Sequence, residues 1–149
     1  MYIFKYDGIV REEIIKYKFQ EKSYIYKTFS EIILKDKELC NILSEYEIIL
    51  SVPVSKRRKK ERGYNQTELI SKEICRKLNI EYAKDILYKT KNTIAQSKLN
   101  KEQREENAKG VYEIRNLDKI NAKKVLLIDD IYTTGSTVNE CSKILRQGN

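Results

Sequence analysis

Apolar positions follow two kinds of pattern along this chain. Over residues 1–44 they recur at helical spacing. Ile9, Val10, Ile14, Tyr17 and Phe19 follow Asp7, a candidate N-cap, and Ile25, Phe29, Ile32 and Ile33 follow Ser23, another. Leu39, Ile42 and Leu43 suggest a third, short helix. Beyond residue 44, short apolar runs alternate with longer helical patterns. Residues 48–54 (IILSVPV) and 125–128 (VLLI) read as strands buried on both faces, as in a parallel sheet. Pro53 suits a strand end or an edge. Residues 86–89 and 111–114 are two further strand patterns. One helix carries Leu69, Ile70, Ile74 and Leu78 behind Asn65 or Thr67 as cap. A last helix carries Val138, Cys141, Ile144 and Leu145, with Gly148 placed to stop it. The alternation predicts an α/β fold, a mostly parallel sheet flanked by helices. Residues 1–44 form a helical flank or hood on an α/β domain over residues 45–149.

A chain of 149 residues is one domain, or one with a small appendage. It is long enough to bury roughly two-thirds of its unfolded surface. Charged residues make up 35% and apolar residues 40%, a globular balance. No apolar run approaches the ~18 residues of a membrane span, and the first ten residues hold no signal-peptide core, so a cytoplasmic location is expected. Cys40, Cys75 and Cys141 form no C-x-x-C pair and there is no histidine, which excludes a histidine-based triad and points away from zinc. The thiols are expected reduced, on apolar helix faces. Thirty basic against 22 acidic side chains give a net charge of +8, which favours polyanionic partners. An AT-rich gene would also inflate Lys, Ile, Asn and Tyr, so the charge alone does not name the partner.

Position sharpens the charge argument. Lys56, Arg57, Arg58, Lys59, Lys60 and Arg62 place six cations in seven residues directly after the first strand, as a basic loop closed by Gly63-Tyr64-Asn65-Gln66. In a parallel sheet this loop stands beside the end of the 125–128 strand. Cations there suit a leaving pyrophosphate, Arg62 above all, because a guanidinium grips two phosphate oxygens at once. The other cations can serve a longer polyanion, and Tyr64 can stack on a base. Between the strands at 86–89 and 111–114, residues 91–107 are polar and weakly patterned, with a short helix over 100–108. An excursion of that length in a compact domain reads as a functional loop or lid.

The 125–128 strand ends in Asp129-Asp130, and a small, hydroxyl-rich loop follows: Thr133-Thr134-Gly135-Ser136-Thr137. A loop of this kind at a helix N-terminus aims N–H groups and hydroxyls at one point, an anion site matched to phosphate. Open α/β sheets bind ligands at this end of their strands. The carboxylates can accept hydrogen bonds from sugar hydroxyls or help hold a divalent metal. Phosphate at one end and a diol at the other describe a ribose 5-phosphate. A strand ending in an acidic turn before a capped helix accounts for the apolar run, but not for adjacent acids plus TTGST. A receiver-type acidic pocket would need a different loop.

Residues 128–137 (IDDIYTTGST) resemble the phosphoribosyl pyrophosphate (PRPP) motif of the type I phosphoribosyltransferases. Pro53-Val54, then Arg62-Gly63-Tyr64-Asn65-Gln66, then Gln96, Leu99, Arg104 and Asn107 before Gly110-Val111-Tyr112, are similar to the ComF branch of that family, associated with DNA uptake in competence. The resemblance implies a Mg²⁺-dependent transfer of ribose 5-phosphate from PRPP to an acceptor, with the Mg²⁺ arriving on the substrate rather than in a protein cage. It implies that Asp129 and Asp130 hold the diol, residues 133–137 bind the 5-phosphate, and Arg62 with the neighbouring cations takes the pyrophosphate. It implies a flexible loop around Gln96, Leu99, Arg104 and Asn107 that closes over PRPP and excludes water.

The chain departs from that pattern in three places. It has no Cys-rich zinc ribbon at its start, and it stops where the family continues into at least one more strand, which would leave the 125–128 strand with an open edge. Thr133 stands where purine-salvage members often carry an Asp, and threonine is a poor general base, so purine salvage is not expected. The alternative reading is a non-catalytic module that binds PRPP, a nucleotide or single-stranded DNA, with other competence proteins as partners. A homodimer is left open.

Overall fold

The computed structural model describes residues 1–20, 22–91, 93 and 100–147. Three helices come first: α1 (Gly8–Phe19), α2 (Ile25–Lys35) and α3 (Lys37–Ser44). Then β1 (Ile48–Ser51), α4 (Lys56–Arg62), α5 (Gln66–Leu78), β2 (Glu81–Tyr82), β3 (Leu87–Lys89), α6 (Lys101–Ala108), β4 (Tyr112–Ile114), β5 (Val125–Ile128) and α7 (Ser136–Gln147) follow, with a 3-10 turn at Leu117–Lys119. Gly148, the expected helix stop, lies outside the described residues.

The predicted α/β architecture holds. A parallel sheet runs in the order β2-β1-β5, with helices around it. β1 pairs with β5 from Ile48 opposite Val125 to Ser51 opposite Ile128. β1 is central and wholly buried, and its side chains alternate between two apolar layers. Ile49 packs with Ile33, Leu39, Leu43, Ile74 and Cys75 from α2, α3 and α5, whereas Ile48 and Leu50 pack with Ala83, Ile86 and Ile120. β5 is half-buried along its whole length, contrary to the expectation of burial on both faces. The reason is topological: among the described strands it is an edge, paired on β1's side alone. No helix among the described residues is long and apolar enough to cross a membrane.

β3 and β4 form a separate antiparallel ribbon, with Lys89 opposite Tyr112. The polar excursion therefore leaves and returns at one place, closed at its base by Thr90, whose N–H and hydroxyl both donate to the Val111 carbonyl. Its expected short helix forms as α6, behind an Asn100 capping box with Gln103.

The basic run is a helix rather than the expected loop. Ser55 caps α4 by accepting from the Arg58 N–H, and Gly63, at φ +78°, ends it in the left-handed conformation. Asn65 caps α5 and also donates from Nδ2 to the Val52 carbonyl at 3.1 Å, tying the helix to the end of β1. Two expected caps do not form. Asp7 occupies the N-cap position of α1 without a side-chain bond, and α2 starts after Tyr24 rather than Ser23.

Candidate functional site

The β1/β5 register sets Val52, Pro53 and Val54 beside Asp129, Asp130 and Ile131, and the Val52 N–H donates to the Ile128 carbonyl at 2.9 Å. Both strands thus deliver their C-terminal ends to one cleft of about 550 Å³. Asp129, Asp130, Thr133 and Thr137 line it from β5 and its loop. Arg57, Arg58 and Arg62 line it from α4, Arg104 from α6, and Lys89 and Tyr112 from the ribbon. Lys18 and Phe19 line it from the end of α1.

The hydroxyl-rich loop is internally ordered. The Thr134 and Ser136 hydroxyls bond each other at 2.6 Å, and the Ser136 N–H reaches Thr134 Oγ1 at 3.4 Å. Gly135 has φ +77°, and a Cβ there would stand 2.6 Å from the Tyr132 hydroxyl. The conformation is what demands glycine, being strained for other residues, whereas the exposed Tyr132 side chain has room to swing aside for a Cβ.

The acidic pair sits at the cleft floor. Asp129 Oδ1 accepts from the Asp130 N–H at 2.8 Å, and Asp130 Oδ2 takes an ion pair from Lys18 Nζ at 2.7 Å. Burial, then the neighbouring Asp130 charge, push the Asp129 carboxyl up to about 7, opposed by Lys18 and Lys89. Lys89 is itself lowered to about 8, by burial and then by the Arg58 charge. Its ammonium lies 5.5 Å from the centre of the Tyr112 ring. Burial raises both the Tyr112 hydroxyl and the Cys141 thiol, so each stays neutral behind the acids.

Folding the basic run as a helix sorts its cations. Arg58 and Arg62, four apart, share the face turned to the cleft, and Arg57 reaches its rim while paired with Glu61 at 2.8 Å. Lys56, Lys59 and Lys60 are exposed outside the cleft lining, with Lys59 on Glu68 at 3.1 Å. Arg62 donates to Gln66 Oε1 at 3.0 Å and lies under the Phe19 ring at 5.2 Å. Burial and then Arg58 lower its pKa. Tyr64, expected free to stack on a base, is instead stacked on Tyr17 with centroids 5.5 Å apart.

The cleft therefore brings together the acidic pair, Thr133, Thr137, three arginines of the run and Arg104. Thr134 and Ser136 bond each other within the same loop. Asn107 lies on α6 outside the cleft lining. Gln96 and Leu99 fall outside the described residues. Residues 1–44 showed no chemistry in sequence, yet they supply Lys18 and Phe19. Lys89 was likewise not singled out, and Tyr112 only within the Gly110-Val111-Tyr112 resemblance, although a lysine ending a strand before a polar excursion is a readable signal.

The chain is similar to competence protein F of Haemophilus influenzae, with 33% identity over 138 residues. It is also similar to competence protein ComFC of Streptococcus pneumoniae, with 31% identity over 145 residues, and to the DNA utilization protein YhgH of Escherichia coli K12, with 28% over 131. These relatives support a ComF-like family. The aligned regions take in 90%, 97% and 86% of this chain. The chain spans about 60% of the length of these relatives, 60%, 60% and 57% in the same order. No family model matches it, and no solved structure does so significantly.

Proposed function

We propose that the cleft binds PRPP and transfers its ribose 5-phosphate to an acceptor with release of pyrophosphate. The observation that carries this reading is the convergence, in one 550 Å³ cleft, of adjacent carboxylates, the mouth of a phosphate-type loop and a wall of arginines. Asp129 and Asp130 accept hydrogen bonds from the ribose diol. The loop from Thr133 to Thr137 takes the 5-phosphate on its N–H groups and hydroxyls. Arg58 and Arg62 meet the pyrophosphate, where negative charge develops as the bond breaks. The acceptor's nucleophilic atom bonds to C1 as the C1–O bond to pyrophosphate breaks, and the acceptor's proton passes to water. Among the described residues no group of three or more His, Cys, Asp or Glu side chains converges to hold a metal. Mg²⁺ would arrive on the substrate phosphates.

Thermal shift tests the reading, with PRPP titrated with and without Mg²⁺ beside ribose 5-phosphate. Ligand at 100 times its Kd adds roughly 2.7 kcal/mol, several degrees for a domain of this size. Absence of any shift in a folded sample would refute it.

The relatives' names, competence protein F, ComFC and DNA utilization protein, support a role in competence and DNA use. The outer face of α4 favours a second reading, in which the same fold is a platform for single-stranded DNA or another competence protein. Lys56 and Lys60 stand exposed there, one helical turn apart.

A further inference from the structure

The end of α1 is fixed to the cleft by three consecutive residues. Tyr17 is buried, and its hydroxyl donates to the Gln66 carbonyl at 2.8 Å. The Tyr64 hydroxyl donates back to the Tyr17 carbonyl at 2.5 Å, so two reciprocal bonds lock this turn of helix against the start of α5. Phe19 lies over Arg62. Between them Lys18 crosses to Asp130, with side-chain exposures of only 15% and 20% at the two ends of the ion pair. A surface pair of long side chains contributes little, because both ends are free to move in water. This pair is different: its lysine is held by a locked backbone, and its carboxylate is largely withdrawn from solvent.

We infer that Lys18 is a positioning residue for the diol-binding carboxylate of Asp130. The inference rests on the ribose-phosphate reading above and deepens it. The ammonium holds Oδ2 and so fixes the carboxylate plane, leaving Oδ1 to accept from a ribose hydroxyl in the cleft. It also balances charge at a floor where two carboxylates adjoin, a task it shares with Lys89 from the opposite wall. A diol bridges two carboxylates only if their oxygens are set in advance, since each rotation left free in the empty cleft must be frozen on binding. The N-terminal helix thereby takes part in recognising the sugar without touching it.

The test is calorimetric titration of the full chain with two probes. Ribose 5-phosphate carries the diol, and inorganic pyrophosphate carries the anion without it. Lys18→Met should weaken ribose 5-phosphate about tenfold or more and leave pyrophosphate within about twofold. Lys18→Arg, which keeps the charge, should restore most of the affinity. In an Asp130→Asn background, Lys18→Met should add nothing, because the group it acts through is already altered. Equal loss of both probes would reveal a purely structural role and overturn the inference. So would full additivity with Asp130→Asn, or ribose 5-phosphate binding by Lys18→Met as tight as, or tighter than, wild type. Unchanged binding by Lys18→Met overturns the positioning role alone, whereas a folded wild type that binds no ribose 5-phosphate overturns the ribose-phosphate reading as well.

Discussion

Replacing Asp129 by asparagine should stabilise the ligand-free protein above neutral pH while abolishing its grip on the sugar. The magnitude follows from the site. The Asp129 carboxyl is raised from 3.8 to about 7, first by burial and then by the charge of Asp130. A group whose folded pKa lies above its unfolded value costs nothing below the lower of the two. The cost grows across the window between them and is complete above the upper one. Each tenfold change in ionisation constant is worth about 1.4 kcal/mol, so a fully dry site would charge roughly 4 kcal/mol for an ionised Asp129. The side chain is half-buried and water screens it, which brings the expected figure to about 2 kcal/mol. Asparagine keeps the oxygen that accepts from the Asp130 N–H and removes the charge. Urea unfolding of both proteins between pH 4 and 8.5 measures the difference. The gap should widen from about pH 4 to 7 and stay flat above, where it corresponds to about 4–8 °C in Tm. A gap that does not change with pH, or a variant less stable than wild type at pH 8, would refute the account of strained carboxylates at the cleft floor.

Gly135→Val should abolish ribose 5-phosphate binding, because a β-branched residue is strained at φ +77° and the loop must shift to hold it; calorimetry showing wild-type affinity would dismiss the phosphate-loop assignment. Arg58→Met should weaken pyrophosphate by about 1.5–3 kcal/mol, the range for a hydrogen bond to a charged group, whereas Lys60→Met leaves it unchanged; equal losses would mean that the two faces of α4 do not divide the work. Neutralising Lys56 and Lys60 together should flatten the salt dependence of single-stranded DNA binding by about 1.4 in log K per log salt, and an unaltered slope would remove α4 from any DNA interface.

Much of the fold was legible because its apolar runs are short, contiguous and bounded. The sheet's central strand, β1, and the helix behind it can be located from their periodicity alone. Burial on both faces of β5 was not a safe reading of VLLI, since four apolar residues look alike whether one neighbour strand or two lie beside them. The basic run was harder. A helix with six cations in seven residues shows no apolar stripe to reveal it, and its signals are confined to its ends. Ser55 and Gly63 were present as cap and stop, while Arg57 and Glu61 offered a stabilising pair one turn apart. End chemistry outweighed periodicity there, and the helix mattered functionally because it divided the arginines from Lys56 and Lys60.

The site was legible to the extent that it is written contiguously. Asp129-Asp130 and the TTGST loop occupy one stretch, so their chemistry can be read before any fold is known. What completes them comes from elsewhere. Lys89 is set opposite Tyr112 by a register that exists only once β3 and β4 have paired. Lys18 reaches Asp130 only because Tyr17 and Tyr64 have docked the helix end. Yet the acids carried a question that physical chemistry poses at the level of sequence. Two adjacent carboxylates at the end of an apolar strand cannot both stay charged in a partly dry site without cations nearby. The Lys56–Arg62 run offered an answer, and in the structure it is mostly not the one used: the ion pair to Asp130 comes from α1, and the opposing lysine comes from the ribbon. A helix C-terminus favours a lysine for local reasons, through its dipole, so Lys18 in the last turn of α1 carries no mark in sequence of a tertiary role. A residue with a sufficient local explanation hides a tertiary one, and charge balance at the acids was the argument that called for it.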